Sequence, residues 1–330
     1  MIGAVVAILG ACGAQSTPPL TPDSTPGSGG GAGSGGGGGV GGGTPAPSAT
    51  LLFQEDFEDA NLTARGWYDN TDVALSSTEH IPGSTKSAQF TFNAGGTFPV
   101  RGLGSRHKFT PTTTLYVSYY VKYSTNWVGS GKTYHPHEIY VLSNMDGDYD
   151  GPANNWMTLY VEHNYQPNGG VPVIAVQDNK TVNSVLGTPP LDLIGVTENR
   201  STGSCNSAVE AGFNGICYRD ASIWYSAKNL AGPIVFQPNP GPGYKSDWNF
   251  VEVYFQMNSI ANGVGQPDGV LQYWFNGSLV IDRHDVRFRT GARPSIQWSQ
   301  LMLSPYIGDG SPIAQTIYYD NLRVATGRLP

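Results

Sequence analysis

The folded part of this sequence, residues 51–330, predicts an all-β fold, namely an antiparallel β-sandwich of the jelly-roll type. Two observations lead to this prediction. Apolar and polar residues alternate with a period of two in almost every run, and helical periodicity is hard to find. Turns rich in Gly, Pro and Asn separate the runs, and no crossover helix is predicted between them. The strands are therefore expected to pair in antiparallel fashion.

The alternation is clearest in residues 115–123, where Val117, Tyr119 and Val121 fall on one face, and residues 250–258 repeat it. Asn276-Gly277 separates two further runs and is the strongest short signal for a two-residue hairpin turn. Other strands are predicted at residues 52–58, 89–92, 101–109, 135–142, 156–163, 171–176, 271–275, 278–282 and 316–324.

The first fifty residues cannot form a core. Residues 1–12 are apolar and end in Leu9-Gly10-Ala11-Cys12, which resembles the lipobox of a bacterial lipoprotein, although the basic start of a secretory signal is missing. We expect a signal peptide with lipidation at Cys12, and a plain secretion signal is the alternative. Residues 13–50 are rich in Gly, Pro and Ser and predict a disordered linker. Residues 51–330 are expected to form one secreted domain, monomeric and held at the cell surface or outer membrane by the lipid.

Cysteine content and charge narrow the choice of partners. Cys205 and Cys217 lie in one Gly/Asn-rich segment and predict a disulfide that closes a loop. The formal net charge is −7 and only 13% of residues are charged, so no broad basic field exists that could bind nucleic acid.

Catalytic or ligand-binding side chains are most expected in residues 135–163, which hold three of the six histidines. Strand alternation places His137 and His163 inward, so the sequence supports a structural role for them about as well as a catalytic one. The side chains that alternation places outward, and that are expected to line a cleft, are Glu138, Tyr140, Tyr160, Glu162, Glu252, Tyr254 and Gln256. Aromatic and amide groups on a concave sheet suit sugar rings and hydroxyls, so we predict a polysaccharide partner. The alternative is that these tyrosines reflect β-propensity alone.

Several segments together carry a family resemblance. They are, in order, Glu55-Asp56-Phe57-Glu58 and residues 115–127, 247–258, 272–277 and 317–324. Their order resembles the concanavalin A-like jelly rolls of the alginate and glucuronan lyase type, an architecture shared with lectins and glucanases. The resemblance covers most of residues 51–324.

The resemblance implies β-elimination on a uronic-acid polymer, with no obligatory cofactor. Such a lyase needs a group that neutralises the uronate carboxylate, a base for the C5 proton and an acid for the glycosidic oxygen. We expect His137 as the base, with His135 and His163 as weaker candidates, because imidazole titrates near neutrality. The other expected residues are the acids Tyr160 and Tyr254, the cation Arg106, and the further substrate contacts Arg101, Lys132, Trp274 and Arg289.

Two alternative functions and two possible calcium sites stay open at this stage. The protein could bind glycans without cleaving them, or hydrolyse them with Glu138 paired to Glu162 or Glu252. The spacing of Asp146, Asp148 and Asp150 matches the opening of a calcium loop. Asp56 and Asp320, near the first and last strands, are candidates for a second, structural calcium.

Overall fold

The computed structural model describes residues 49–132, 136–152, 156–177, 230–289, 291 and 293–329, and the backbone of two short strands within residues 216–226. The predicted signal with Cys12, residues 13–48 of the predicted linker, His135 and Cys205 lie outside the described residues, as does the side chain of Cys217. No helix within the described ranges is both long and apolar enough to cross a bilayer.

The regular structure of the described residues is all strand apart from one 3₁₀ turn at Leu62–Arg65. In chain order the strands are β1 (Leu51–Glu55), β2 (Trp67–Tyr68), β3 (Ala74–Ser76), β4 (Ser87–Phe92), β5 (Ser105–Thr112), β6 (Thr114–Tyr123), β7 (His137–Ser143), β8 (Thr158–Gln166), β9 (Gly169–Gln177), β10 (Ile216–Asp220), β11 (Ile223–Ser226), β12 (Asn249–Gln256), β13 (Ile260–Ala261), β14 (Val264–Gly265), β15 (Gly269–Phe275), β16 (Ser278–Val286), β17 (Trp298–Tyr306) and β18 (Gln315–Ala325).

Fourteen of these strands form two large sheets, and β10–β11 and β13–β14 form two separate two-stranded sheets. One large sheet is eight-stranded, in the order β16-β15-β12-β6-β18-β4-β3, with β1 also paired to β18. The other is six-stranded, in the order β2-β5-β17-β7-β8-β9. Every strand pair in both sheets is antiparallel. The predicted all-β antiparallel sandwich is confirmed.

The main core lies between the two sheets, because each contributes its inward face. Val117 and Val253 enter it from the eight-stranded sheet, and Ile139, Val141 and Leu301 enter it from the six-stranded sheet. All five are at most 1% exposed. Burying these faces drives the sheets together and leaves each sheet one outer face.

Two turns show how local residues set the strand limits. Asn276 and Gly277 have φ values of 48° and 79°, so both adopt the left-handed conformation of a type I′ turn, and the predicted hairpin is confirmed. The strand predicted at 101–109 instead begins at Ser105. Gly102 and Gly104 have φ values of 76° and 80°, which form a turn and not a strand.

Candidate active site on the outer face of the six-stranded sheet

One continuous row of side chains crosses the outer face of the six-stranded sheet. Each of the six strands contributes one member, and we call this set the outer row. Its members, in cross-strand order, are Tyr68, Arg106, Met302, Tyr140, Tyr160 and Ala175. Tyr140, Tyr160, Ala175 and Met302 form a buried cluster that is separate from the main core. The row is therefore built by register, since none of its members is a close neighbour of another in sequence.

A histidine–carboxylate pair lies beside the outer row. His137 and Glu162 are cross-strand partners on β7 and β8, and the His137 Nδ1 is in hydrogen-bond contact with the Glu162 Oε1. The imidazole lies 5.0 Å from the Tyr160 ring and 6.0 Å from the Tyr140 ring, centroid to centroid. Tyr306 of β17 stacks against it at 6.0 Å with an interplanar angle of 14°. Three tyrosines thus surround one imidazole that a carboxylate orients.

The prediction that His137 points inward and Glu138 outward is wrong. The register between β7 and β8 shifts between His137 and Ile139, which is a β-bulge. A bulge adds one residue to a strand and reverses the alternation beyond it. Glu138 therefore enters the core beside Ile139, and His137 joins Tyr140 on the outer face. Beyond the bulge Tyr140 faces outward, as the alternation predicts.

Strand β8 has no such shift, and its faces follow the prediction. Leu159 and Val161 belong to the main core, and Tyr160 belongs to the separate outer cluster. Glu162 therefore faces outward and His163, which is fully buried, faces inward. His163 lies on the opposite side of the sheet from His137, which removes it as an alternative base on this face.

The inward Glu138 is the centre of a polar network in the core. Tyr123 donates to Glu138 at 2.6 Å, and the Nδ1 of His163 lies 2.9 Å from the other carboxylate oxygen. The Nε2 of His163 lies 2.7 Å from the hydroxyl of Tyr273. One assignment satisfies all three contacts, with His163 donating through Nδ1 and accepting from Tyr273 through Nε2. The network therefore ties β7 and β8 of one sheet to β6 and β15 of the other.

The buried tyrosines of the core are expected to make the folded state less stable at alkaline pH. Burial first, and then the nearby charge of Glu138, raise the pKa values of Tyr119, Tyr123, Tyr273 and Tyr319 well above 10. Unfolded tyrosine ionises near pH 10, so above that pH the folded state binds more protons than the unfolded state. The stabilisation is complete below about pH 10 and is lost as the pH rises toward the folded-state pKa values.

We expect the free energy of unfolding to fall by about 1.4 kcal/mol per pH unit for each of these tyrosines above about pH 10. Urea unfolding between about pH 8 and pH 11 measures the slope. Replacing Tyr123 with phenylalanine removes one titrating group and should make the slope shallower. A free energy that stays flat across this range would contradict the expectation.

Arg106 is held by three groups at the β5 end of the outer row. Its Nε donates to Asp69 at 3.1 Å, and its Nη1 donates to the backbone carbonyl of Asp150 and to Gln300, both at 2.9 Å. Gln300 in turn donates to the Tyr68 hydroxyl at 2.7 Å, and burial raises the pKa of Tyr68 to about 12. Within the described part of the chain no hydrogen bond reaches Nη2 of Arg106, so this nitrogen is its available donor toward a ligand.

The aspartate turn packs over this end of the row. Asp146 and Asp150 each accept a hydrogen bond at 2.9 Å from the backbone N–H three residues earlier. Asp148 forms an ion pair with Lys108 at 2.5 Å. Among the described residues no group of three or more His, Cys, Asp or Glu side chains could hold a metal ion. Calcium at this turn stays a prediction.

The second pair of calcium candidates is engaged with the backbone. Asp320 is fully buried and accepts from the N–H groups of Ile81 at 3.1 Å and Asn321 at 2.8 Å. Burial raises the pKa of Asp320. Asp56 accepts from the N–H of Glu58 at 3.2 Å. A structural calcium here also stays a prediction.

Four expected cleft residues lie on the other side of the sandwich. Glu252, Tyr254 and Gln256 of β12, and Trp274 of β15, line the outer face of the eight-stranded sheet. Tyr254 donates to Gln256 at 3.2 Å, and burial raises the pKa of Tyr254. The expectation that these residues share a cleft with Tyr160 is wrong, because the two outer faces have the core between them.

The same placement separates the carboxylates of the hydrolase alternative. Glu138 lies in the core, Glu162 on the outer face of the six-stranded sheet, and Glu252 on the outer face of the eight-stranded sheet. Neither proposed pair meets in one site.

Three basic side chains expected to bind substrate lie outside the outer row. Arg101 pairs with Asp72 at 3.4 Å, and Lys132 pairs with Asp309 at 3.0 Å. Arg289 donates to backbone carbonyls at 3.0 Å and 2.6 Å, and burial lowers its pKa. Each of the three is therefore engaged with other groups of the protein.

Sequence reasoning missed Gln300, Met302 and Tyr306, since β17 was not predicted as a strand. The signal was present, because Leu301 and Leu303 alternate with Gln300 and Met302. Pro305 argues against a central strand, but it lies where the β17–β7 register shifts, and irregularities of this kind tolerate proline.

Comparison with known proteins gives likeness among solved structures only. No protein-family model matches this chain, and no curated protein matches it. An alginate lyase variant in complex with an alginate trisaccharide is 15% identical, with 85% of this chain and 100% of that chain covered and a TM-score of 0.49. The alginate lyase vAL-1 from Chlorella virus is 14% identical, with 85% and 99% covered and a TM-score of 0.49. The endo-beta-1,4-glucuronan lyase from the fungus Trichoderma reesei is 14% identical, with 84% and 96% covered and a TM-score of 0.45. Similarities this weak do not establish a function, so the function of this chain is inferred from its own residues.

Proposed function

We propose that this protein is a polysaccharide lyase-like enzyme that cleaves a uronic-acid-containing glycan by β-elimination. The observation that carries the proposal is the His137–Glu162 pair packed against Tyr140 and Tyr160 on one sheet face. An oriented imidazole packed against two phenol side chains supplies a base and an acid on the same sheet face.

The elimination requires two proton transfers. Glu162 beside Nδ1 favours the tautomer in which Nδ1 carries the proton, so the Nε2 of His137 accepts the C5 proton. The electron pair of the C5–H bond forms the C4=C5 double bond, and the C4–O bond breaks. The leaving oxygen takes the proton of Tyr160, whose hydroxyl donates to the Pro152 carbonyl at 2.9 Å in this structure. Glu162 also stabilises the imidazolium that forms.

Arg106 supplies the positive charge of the proposed site. It lies two strands from Tyr140 in the outer row, about 10 Å away at ordinary strand spacing. Its Nη2 would hold a carboxylate of the polymer, with Gln300 as a neighbouring amide. The sequence adds export to this proposal, with Cys12 as the lipid anchor and residues 13–50 as the tether.

The proposal is tested by incubating the protein with alginate, glucuronan and other polyuronates. The unsaturated product absorbs in the ultraviolet, because its new double bond is conjugated with the carboxylate. We expect absorbance to rise with at least one polymer, and no rise with any of them would refute lyase activity. A glycan-binding protein would retain the polymer without product, and a hydrolase would release reducing ends without the absorbance.

A further inference from the structure

A second concave surface lies on the outer face of the eight-stranded sheet. It is a groove of about 730 Å³, lined by side chains of β6, β12 and β18 and by the segment that follows β18. This volume is within the range of small-ligand sites. The groove is separated from His137 by the whole core, so it is distinct from the proposed active site.

The wall of the groove is aromatic. Tyr120 and Phe250 are cross-strand partners with ring centroids 4.8 Å apart, and both line the cavity. Next to it the Arg328 guanidinium lies 4.7 Å from the Trp274 ring. Aromatic faces of this kind pack against the C–H faces of sugar rings.

The charge of the groove is positive, in contrast to the chain. Glu252 is almost fully buried, accepts from the Nε and Nη2 of Arg328 at 2.7 Å and 2.9 Å, and also accepts from the Tyr116 hydroxyl at 2.8 Å. Arg328 therefore neutralises Glu252. Arg323 also lines the groove, and its exposed side chain has no ion pair or hydrogen bond in the described part of the chain. Two arginines against one glutamate leave a net charge of +1 in the lining of a protein whose formal charge is −7.

A local irregularity places Arg323 in the groove. The β18–β6 register shifts between Asp320 and Arg323, and Asn321 has a φ value of 48°. Such bulges re-aim side chains and are frequent beside functional sites. Here the shifted segment presents Asn321 and Arg323 to the cavity together, an amide next to a cation.

We propose that this groove is a second glycan site, which binds an acidic oligosaccharide without cleaving it. A carboxylate of the sugar pairs with Arg323, a ring packs on Tyr120 and Phe250, and Asn321 bonds hydroxyls. Because it uses none of the residues of the outer row, this site does not depend on lyase activity.

Calorimetric titration of the full-length protein tests the groove. The probes are an alginate tetrasaccharide and the neutral cellotetraose, and the protein carries His137→Ala so that the ligand is not consumed. We expect Arg323→Gln to weaken the groove's affinity for the acidic probe by about 10- to 100-fold, the loss of one charged hydrogen bond. Tyr120→Ala should weaken it as well. The matched control is Arg283→Gln, which alters an arginine of the same sheet paired with Asp285 at 3.0 Å and should keep the affinity within about twofold.

Two results would overturn the proposal. One is an acidic-probe affinity that Arg323→Gln leaves unchanged, and the other is equally tight binding of the neutral tetrasaccharide. The lyase proposal is tested in a separate experiment, in which the unaltered protein would give no rise in ultraviolet absorbance if the proposal is wrong. The two proposals can therefore fail independently.

Discussion

Replacing His137 with alanine is expected to lower kcat/KM for a cleavable polyuronate by about 10²- to 10⁴-fold. The imidazole is the only described base on the outer face that is packed against both Tyr140 and Tyr160, and alanine leaves no group to accept the C5 proton. Initial rates of ultraviolet absorbance measure the effect. Bound polymer should still be detected, because the proposed carboxylate contact of Arg106 remains.

The matched control is His284→Ala. His284 also pairs with a carboxylate, Asp282, at 2.8 Å, but it lies on β16 and its side chain is 62% exposed. We expect this variant to keep the rate within about twofold. A His137→Ala protein as fast as the His284→Ala protein would rule out His137 as the base. Tyr160→Phe and Tyr140→Phe in the same assay identify the hydroxyl that acts as the acid.

Replacing Glu138 with alanine is expected to lower the free energy of unfolding by about 3–5 kcal/mol. The carboxylate is fully buried and accepts from Tyr123 and His163, so its removal takes an acceptor from each of these two buried donors, which lie 2.8 Å from one another, and opens a cavity. Urea unfolding followed by tryptophan fluorescence measures the loss. Glu138→Gln keeps the shape and one acceptor, and should therefore lose less.

Glu79→Ala is the control for this second experiment. Glu79 forms an ion pair with Lys122 at 2.7 Å, with 35% of its side chain exposed, and such partly exposed pairs contribute about 0–1 kcal/mol. If Glu138→Ala cost no more than Glu79→Ala, the core network would not support the fold in the way its geometry indicates.

Much of the secondary structure follows from local sequence. Alternation in residues 115–123 predicts β6 almost to its ends, because each inward residue is buried in turn. Asn276-Gly277 predicts its hairpin, since both residues adopt the left-handed conformation that the turn requires. In β8 the same alternation places Tyr160 outward and His163 inward, as the structure shows.

The candidate site was harder to predict, for two reasons. Glu138 enters the core because its partners Tyr123 and His163 lie on other strands, so the bulge that turns His137 outward depends on distant residues. Tyr254 and Tyr160 are predicted to share a cleft because both are outward-facing residues of their strands. Alternation with a period of two separates inward-facing from outward-facing side chains, but it does not tell which sheet a strand joins.

The all-β class, most of the strands and the chemical character of their outer side chains can therefore be predicted from sequence alone. These features depend on the two-residue repeat of a strand and on local turn conformation. The folded protein, in contrast, is needed to see that His137 contacts Glu162, Tyr140, Tyr160 and Tyr306, and that Glu252 and Tyr254 lie on the far side of the core. Strand order and register decide these meetings, and both are set by the packing of distant segments against one another.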